Sequence, residues 1–300
     1  MKHAILGAGA VGGLIGAALG HQGDDVTLLV RPEANTHYPE TLSLETPSGT
    51  IETTVQIESK IGDDTEVLWI AVKAYQLVEA LRAVPPDSKI ATIIPLLNGI
   101  DHVDLLRSRF GHDRVVPATI AVESERLAPG QIVQRSPFVR LMLSAIGEER
   151  LASVADRLRR AGFTCEFQAD EKTMLWSKLA FLGPFALTGT ASDMDKQGIL
   201  ADAAWRARLE SAVGEACAAA TADQAVVDRE KILATLESLP ATMRSSMQKD
   251  VSAGRLPELD AIGGPIIRAG HAHGLDVPVT RELIARIQDR LSTLHITSAS

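Results

Sequence analysis

The sequence predicts an α/β protein: a doubly wound parallel sheet in the N-terminal half, followed by an all-helical C-terminal domain. Three observations carry that prediction. Short apolar, β-branched runs alternate with helical stretches over the first half, the pattern of strands joined by crossover helices. A glycine-rich turn joins the first apolar run to the first helix. After about residue 168 the strand signals stop, while helical periodicity continues to the end. The expected domains are therefore 1–168 and 169–300.

The elements follow in order. His3 to Leu6 is an apolar run ending in glycines, and Ala10 to His21 reads as a helix. Val26 to Val30 is a second strand, and Thr41 to Ile57 alternates around the turn residues Pro47-Ser48-Gly49, as two strands would. Val67 to Val72 and Ile90 to Pro95 are buried-strand candidates, each followed by a helical stretch. Val115 to Val122, Gln131 to Gln134 and Val139 to Ser144 add further strands, with Pro129-Gly130 turning between the first two. Helices are expected over Glu171–Leu182, Ala201–Ala220, Arg229–Leu236, Ala241–Val251, Leu259–His271 and Arg281–Leu294.

Composition narrows the function. The chain has 300 residues, 45% of them hydrophobic, enough for a sizeable core. Thirty Lys and Arg against 38 Asp and Glu give a net charge of −8. That balance argues against nucleic acid and anionic membranes, which select basic surfaces. Cys165 and Cys217 are the two cysteines, and the eight histidines form no HExxH, so neither a disulfide framework nor a metal site is expected. The uncharged stretch Ala4 to Gly20 contains six glycines, too many for a signal peptide or a spanning helix. A cytoplasmic location is expected.

Gly7-Ala8-Gly9-Ala10-Val11-Gly12 matches GxGxxG. The first glycine permits the tight turn, the second lets backbone approach a diphosphate, and the third lets helix pack on strand. Lying between a strand and a helix, the motif predicts a Rossmann-type dinucleotide site rather than a merely structural turn. An NAD site ordinarily places Asp or Glu at the end of the second strand. Here that strand ends Val30-Arg31-Pro32-Glu33. Arg31 suits a 2′-phosphate and favours NADP; the alternative is a surface arginine with Glu33 as a late ribose ligand. Asn98, after a strand and before Gly99, falls on the carboxyl edge of the sheet, where ligands bind, although a turn asparagine would look the same.

Further motifs follow the glycine loop and Arg31: Val72-Lys73-Ala74-Tyr75-Gln76, Leu97-Asn98-Gly99 and Trp176-Ser177-Lys178-Leu179. Ser245-Ser246-Met247-Gln248-Lys249-Asp250, Glu258 and Gly270-His271-Ala272-His273-Gly274-Leu275-Asp276-Val277-Pro278 complete the series. In this order and spacing, the motifs make the chain resemble the ketopantoate reductase family over essentially its full length. The resemblance implies NADPH-dependent reduction of a 2-oxo acid to a 2-hydroxy acid, the chemistry of pantothenate biosynthesis. It casts Lys178 as the catalytic lysine and Glu258 as the carboxylate contacting lysine and substrate. It casts Ser246 as a substrate ligand, Asn98 as a contact of both nicotinamide and substrate, and Lys73 as a cofactor contact.

Each of these residues also has a plainer reading: a helix-surface lysine, a first-turn glutamate, a surface hydroxyl. One departure bears on substrate. The asparagines expected four and eight residues after the lysine are Leu182 and Ala186, and Asn35 and Asn98 are the only asparagines in the chain. The expected partner is a small 2-oxo acid, and a homodimer is compatible with the reading. Two other readings stand beside it: another two-domain hydroxyacid dehydrogenase, and a non-catalytic NADP-binding sensor.

Overall fold

In a computed structural model, residues 1–294 are described; the last six residues of the expected helical domain, 295–300, lie outside the described residues. The chain divides into two compact units. The first comprises Met1–Leu97 and His102–Met174; the second comprises Asn98–Asp101 and the chain from Leu175 onward.

The first unit is built on β1 (Lys2–Leu6), α1 (Ala10–His21), β2 (Asp25–Leu29) and the short α2 (Pro32–Asn35). The hairpin β3 (Thr41–Thr46) and β4 (Gly49–Thr54) follows, then β5 (Gln56–Glu58), β6 (Val67–Ile70), the single turn α3 (Leu77–Ala80) and β7 (Thr92–Pro95). Five of these strands form a wholly parallel sheet in the order β5-β2-β1-β6-β7. Its centre is sealed on both faces, which is why β6, Val-Leu-Trp-Ile, carries no polar alternation.

Beyond β7 come α4 (His102–Phe110), β8 (Ala118–Ala121), β9 (Ser124–Ala128), β10 (Gln131–Gln134), β11 (Arg140–Ser144), α5 (Glu148–Arg160) and β12 (Thr164–Gln168). They complete two smaller sheets, β4-β3-β10-β9 and β12-β11-β8, each mixing parallel and antiparallel pairs. The apolar runs do not announce β9 and β12. Ser-Glu-Arg-Leu-Ala in β9 is open to solvent along most of its length and is a strand only because β10 pairs with it. In β12, Cys165 alone is fully buried.

The second unit holds most of α6 (Glu171–Ser192), then α7 (Lys196–Ala201), α8 (Ala203–Ala222), α9 (Arg229–Ser238), α10 (Ser246–Ser252), α11 (Leu259–His273) and α12 (Pro278–Thr293). The alanine-rich α8 packs against α7, α9, α11 and α12, its buried side chains small enough for close approach. Two sequence expectations are corrected here. Helix α6 does not end at Leu182 but continues through Pro184. Proline forfeits one backbone hydrogen bond, and burial of Phe185, Ala186 and Leu187 in the core offsets that loss. The helix expected from Ala241 starts at Ser246, because the buried Ser245 side chain accepts from the Gln248 amide at 3.1 Å and caps it.

Candidate active site

In the first unit, β1 runs into the glycine turn and α1. Gly7 sits at φ +108°, and a β-carbon there would come within 2.8 Å of the Ala71 backbone. At Gly12 a β-carbon would fall 2.0 Å from the Gly7 carbonyl, so the turn closes only with glycine at both places. A β-carbon at Gly9 would meet nothing within 4 Å: that side of the loop is open. Gly9 is also the N-cap of α1, makes no side-chain cap, and is followed by a first turn without acidic residues. The unsatisfied N–H groups and the positive helix end are thus left for an anion. Ala8, Ala10 and Val11 are half-buried around this edge.

Arg31 stands exposed directly after β2, at the N-cap of α2, where Pro32 starts the helix and takes the chain away. Lys73 is half-buried beyond β6. Both therefore follow the carboxyl ends of parallel strands, the edge on which such sheets bind ligands. Two residues that the sequence reading left aside also touch the loop: the Tyr38 hydroxyl and the Arg126 guanidinium each donate to the Ala8 carbonyl at 3.2 Å.

In the second unit, three chain segments meet. Glu258 lies just before α11, only 5% exposed, and its side chain does not cap that helix. Its Oε2 instead accepts from Asn98 Nδ2 at 3.1 Å. Gly99 makes this approach possible. It has φ +81°, and a β-carbon there would be 2.3 Å from the Ala261 carbonyl in the first turn of α11. Arg268 of α11 pairs with both Asp101 and Asp260, fastening the same short segment to the helix.

Helix α6 also approaches α11. Gly183 is close enough that a β-carbon would lie 3.4 Å from the Ile262 carbonyl and from the Ile266 side chain. That contact draws the α6 turn carrying Lys178 toward the start of α11. Lys178 is half-buried, and burial lowers its pKa from the usual 10.5 to about 8, against the opposing pull of the Glu258 carboxylate. A lysine that titrates near neutrality beside a carboxylate can hold a proton or release it.

The structure therefore brings Lys178, Glu258 and Asn98 together. Ser246 is exposed at the first position of α10, and its hydroxyl makes no hydrogen bond among the described residues; its buried neighbour Ser245 has the capping role. Of the two positions where asparagines were expected, Leu182 is half-buried and Ala186 is wholly sealed in a core cluster with Leu187, Met247 and Ile262. Among the described residues no cluster of His, Cys, Asp and Glu could hold a metal ion, and no helix is long and apolar enough to cross a membrane.

A parallel sheet with a glycine-rich turn at its carboxyl edge, followed by a helical domain with a half-buried lysine, defines a dinucleotide-dependent oxidoreductase. The comparisons with known proteins make that class specific. Residues 3–146 match the family described as ketopantoate reductase PanE/ApbA, and residues 170–290 match its C-terminal domain. A 2-dehydropantoate 2-reductase of Caulobacter vibrioides is 30% identical, over 94% of this chain and 96% of its own. A PanE/ApbA family ketopantoate reductase from Ralstonia eutropha superposes with a TM-score of 0.87 at 26% identity, covering 98% of this chain and all of that one. A D-mandelate dehydrogenase solved with NADH and anilino(oxo)acetate has a TM-score of 0.86 over 99% of this chain; at 22% identity that likeness speaks to fold. The chain belongs to the ketopantoate reductase family. It is an NAD(P)-dependent oxidoreductase working on the C=O/CH–OH pair of a 2-oxo acid.

Proposed function

We propose that the chain reduces a 2-oxo acid with NADPH, using Lys178 as proton donor, and that its substrate carries an apolar rather than a hydroxylated side chain. The observation that carries the proton-donor role is the convergence of a half-buried Lys178 with Glu258, whose carboxylate Asn98 holds at 3.1 Å; burial lowers the lysine's pKa to about 8. A solvent-facing lysine would instead have favoured a non-catalytic sensor.

The residues fit the cofactor: the glycine loop leaves open backbone and an unsatisfied helix end for the diphosphate, and Arg31 offers a planar cation for a 2′-phosphate. When bound, the nicotinamide supplies the hydride. As negative charge gathers on the substrate carbonyl oxygen, the Lys178 ammonium hydrogen-bonds that oxygen and then passes it a proton. Glu258 attracts the ammonium through space, and the Asn98 amide holds the Glu258 carboxylate at 3.1 Å. Burial has removed part of the hydration that would otherwise stabilise the ammonium, so the proton is given up more readily than by a surface lysine.

The proposed substrate preference rests on the amides that positions 182 and 186 lack. A site that hydrogen-bonds a substrate hydroxyl rejects analogues lacking it by roughly 10⁴–10⁵, because its own polar groups would be stranded. Neither side chain has such a group, and Ala186 is sealed from ligands altogether. Catalytic efficiency on 2-oxoisovalerate should therefore equal or exceed that on ketopantoate, which carries an additional hydroxymethyl group. A thousandfold preference for ketopantoate, assayed with NADPH, would overturn the apolar pocket.

A further inference from the structure

We infer that Arg126 is a cofactor-binding residue, a ligand of the dinucleotide's diphosphate supplied by the β4-β3-β10-β9 sheet rather than by the parallel sheet. This rests on the cofactor reading above and extends it to a residue that belongs to none of the recognised motifs.

That small sheet lies against α1. A β-carbon on Gly13 would come within 2.6 Å of the Ile132 side chain on β10, so the first turns of α1 run directly beneath the sheet. Tyr38 ties the two together: its hydroxyl donates to the Ala8 carbonyl at 3.2 Å and accepts from the Gly130 amide, in the β9–β10 turn, at 3.3 Å. From the neighbouring edge strand β9, Arg126 reaches the same carbonyl, Nη1 to oxygen, at 3.2 Å.

The guanidinium has five N–H donors, and the described residues engage one of them. Among those residues Arg126 has no carboxylate partner, although the protein carries a net charge of −8. The adjacent Glu125 is taken by Arg135 at 2.9 Å. The loop that Arg126 touches contains the open Gly9 and the uncapped, acid-free start of α1. An exposed arginine at that loop, held by a backbone carbonyl and lacking an anion, is disposed to close over a phosphate bound there. Ala8 lies within the turn whose amides face the diphosphate, whereas Arg31 follows the neighbouring strand β2, so the two arginines serve different phosphates.

The test is direct titration of NADPH and NADH into the unmodified protein and into Arg126→Ala, Arg126→Gln and Arg31→Ala, followed by nucleotide fluorescence or calorimetry. Loss of one exposed charge-assisted contact should weaken binding about tenfold. Arg126→Ala and Arg126→Gln should both weaken NADPH and NADH alike and flatten the salt dependence of binding. Arg31→Ala should affect NADPH alone. The salt dependence separates a ligand from a clip, because losing a mere tie to the Ala8 carbonyl would weaken binding without changing its slope against salt. Wild-type affinity in Arg126→Gln would reduce Arg126 to a structural tie and overturn the inference. A loss confined to NADPH would move the arginine to the 2′-phosphate and overturn the diphosphate assignment. If the unmodified protein bound neither nucleotide, the cofactor reading itself would fall, and this inference with it.

Discussion

The glycine loop and the Lys178–Glu258–Asn98 cluster do their work by opposite means. The loop is six consecutive residues, and its useful groups are backbone N–H donors at the start of α1; side chains matter there chiefly by being absent, as at Gly7 and Gly12. The cluster consists of side chains drawn from three segments, at 98, 178 and 258, held together by α6, α11 and a short loop. A backbone site depends on local conformation and tolerates change in distant sequence. A side-chain site depends on packing, and its reactivity is tuned by burial. In the proposed mechanism the first governs whether a nucleotide binds, the second what happens once it has.

Single substitutions can break that division. The largest effect is expected from Lys178→Ala. Loss of a positioned proton donor costs on the order of 10²–10⁴ in turnover, while NADPH affinity, measured by titration, should stay at the unmodified value. Near-normal turnover would remove Lys178 from the chemistry; a parallel loss of cofactor affinity would show that the two regions are not separable.

Next in size is Arg31→Ala, expected to weaken NADPH by about tenfold and NADH hardly at all, the worth of one exposed charge-assisted bond. Initial rates at varied concentrations of both cofactors decide it. Equal use of the two by the unmodified protein, unchanged in the variant, would make Arg31 an ordinary surface residue.

The smallest effect sharpens the comparison most. Lys178 titrates near 8, and the proposed reduction uses its protonated form, so the reductive rate should fall as pH rises through about 8. Oxidation of the hydroxy acid needs the neutral amine and should rise over the same range. Glu258 raises the lysine's pKa, so Glu258→Gln should move both limbs to lower pH, with cofactor binding unaltered. A pH profile that ignored the substitution would separate Glu258 from the lysine.

Much of the nucleotide region was legible in the sequence because turn chemistry is local. A positive φ at Gly7 and a carbonyl 2.0 Å from any β-carbon at Gly12 are demands made by residues a few positions apart, and they leave glycine as their trace. The second region was only partly legible. Lys178, Glu258 and Asn98 were recognisable through motif resemblance, but Gly183 carries no mark in the sequence of its place against Ile262. Arg126 was invisible, since the solvent-washed strand that presents it has no apolar pattern.

By itself, then, the sequence determined the parallel sheet, the glycine turn and the change to helices, because buried strands and helix faces impose their periods on consecutive residues. Tertiary structure decided what depends on partners distant in the chain. It carried α6 through Pro184 by burying Phe185 and Leu187, made β9 a strand by giving it β10, and sealed Ala186 in the core. It also lowered the pKa of Lys178 by taking part of the lysine out of water near Glu258. Propensity acts over a few residues, whereas desolvation and close packing depend on everything that surrounds an atom, and a one-dimensional pattern does not record those surroundings.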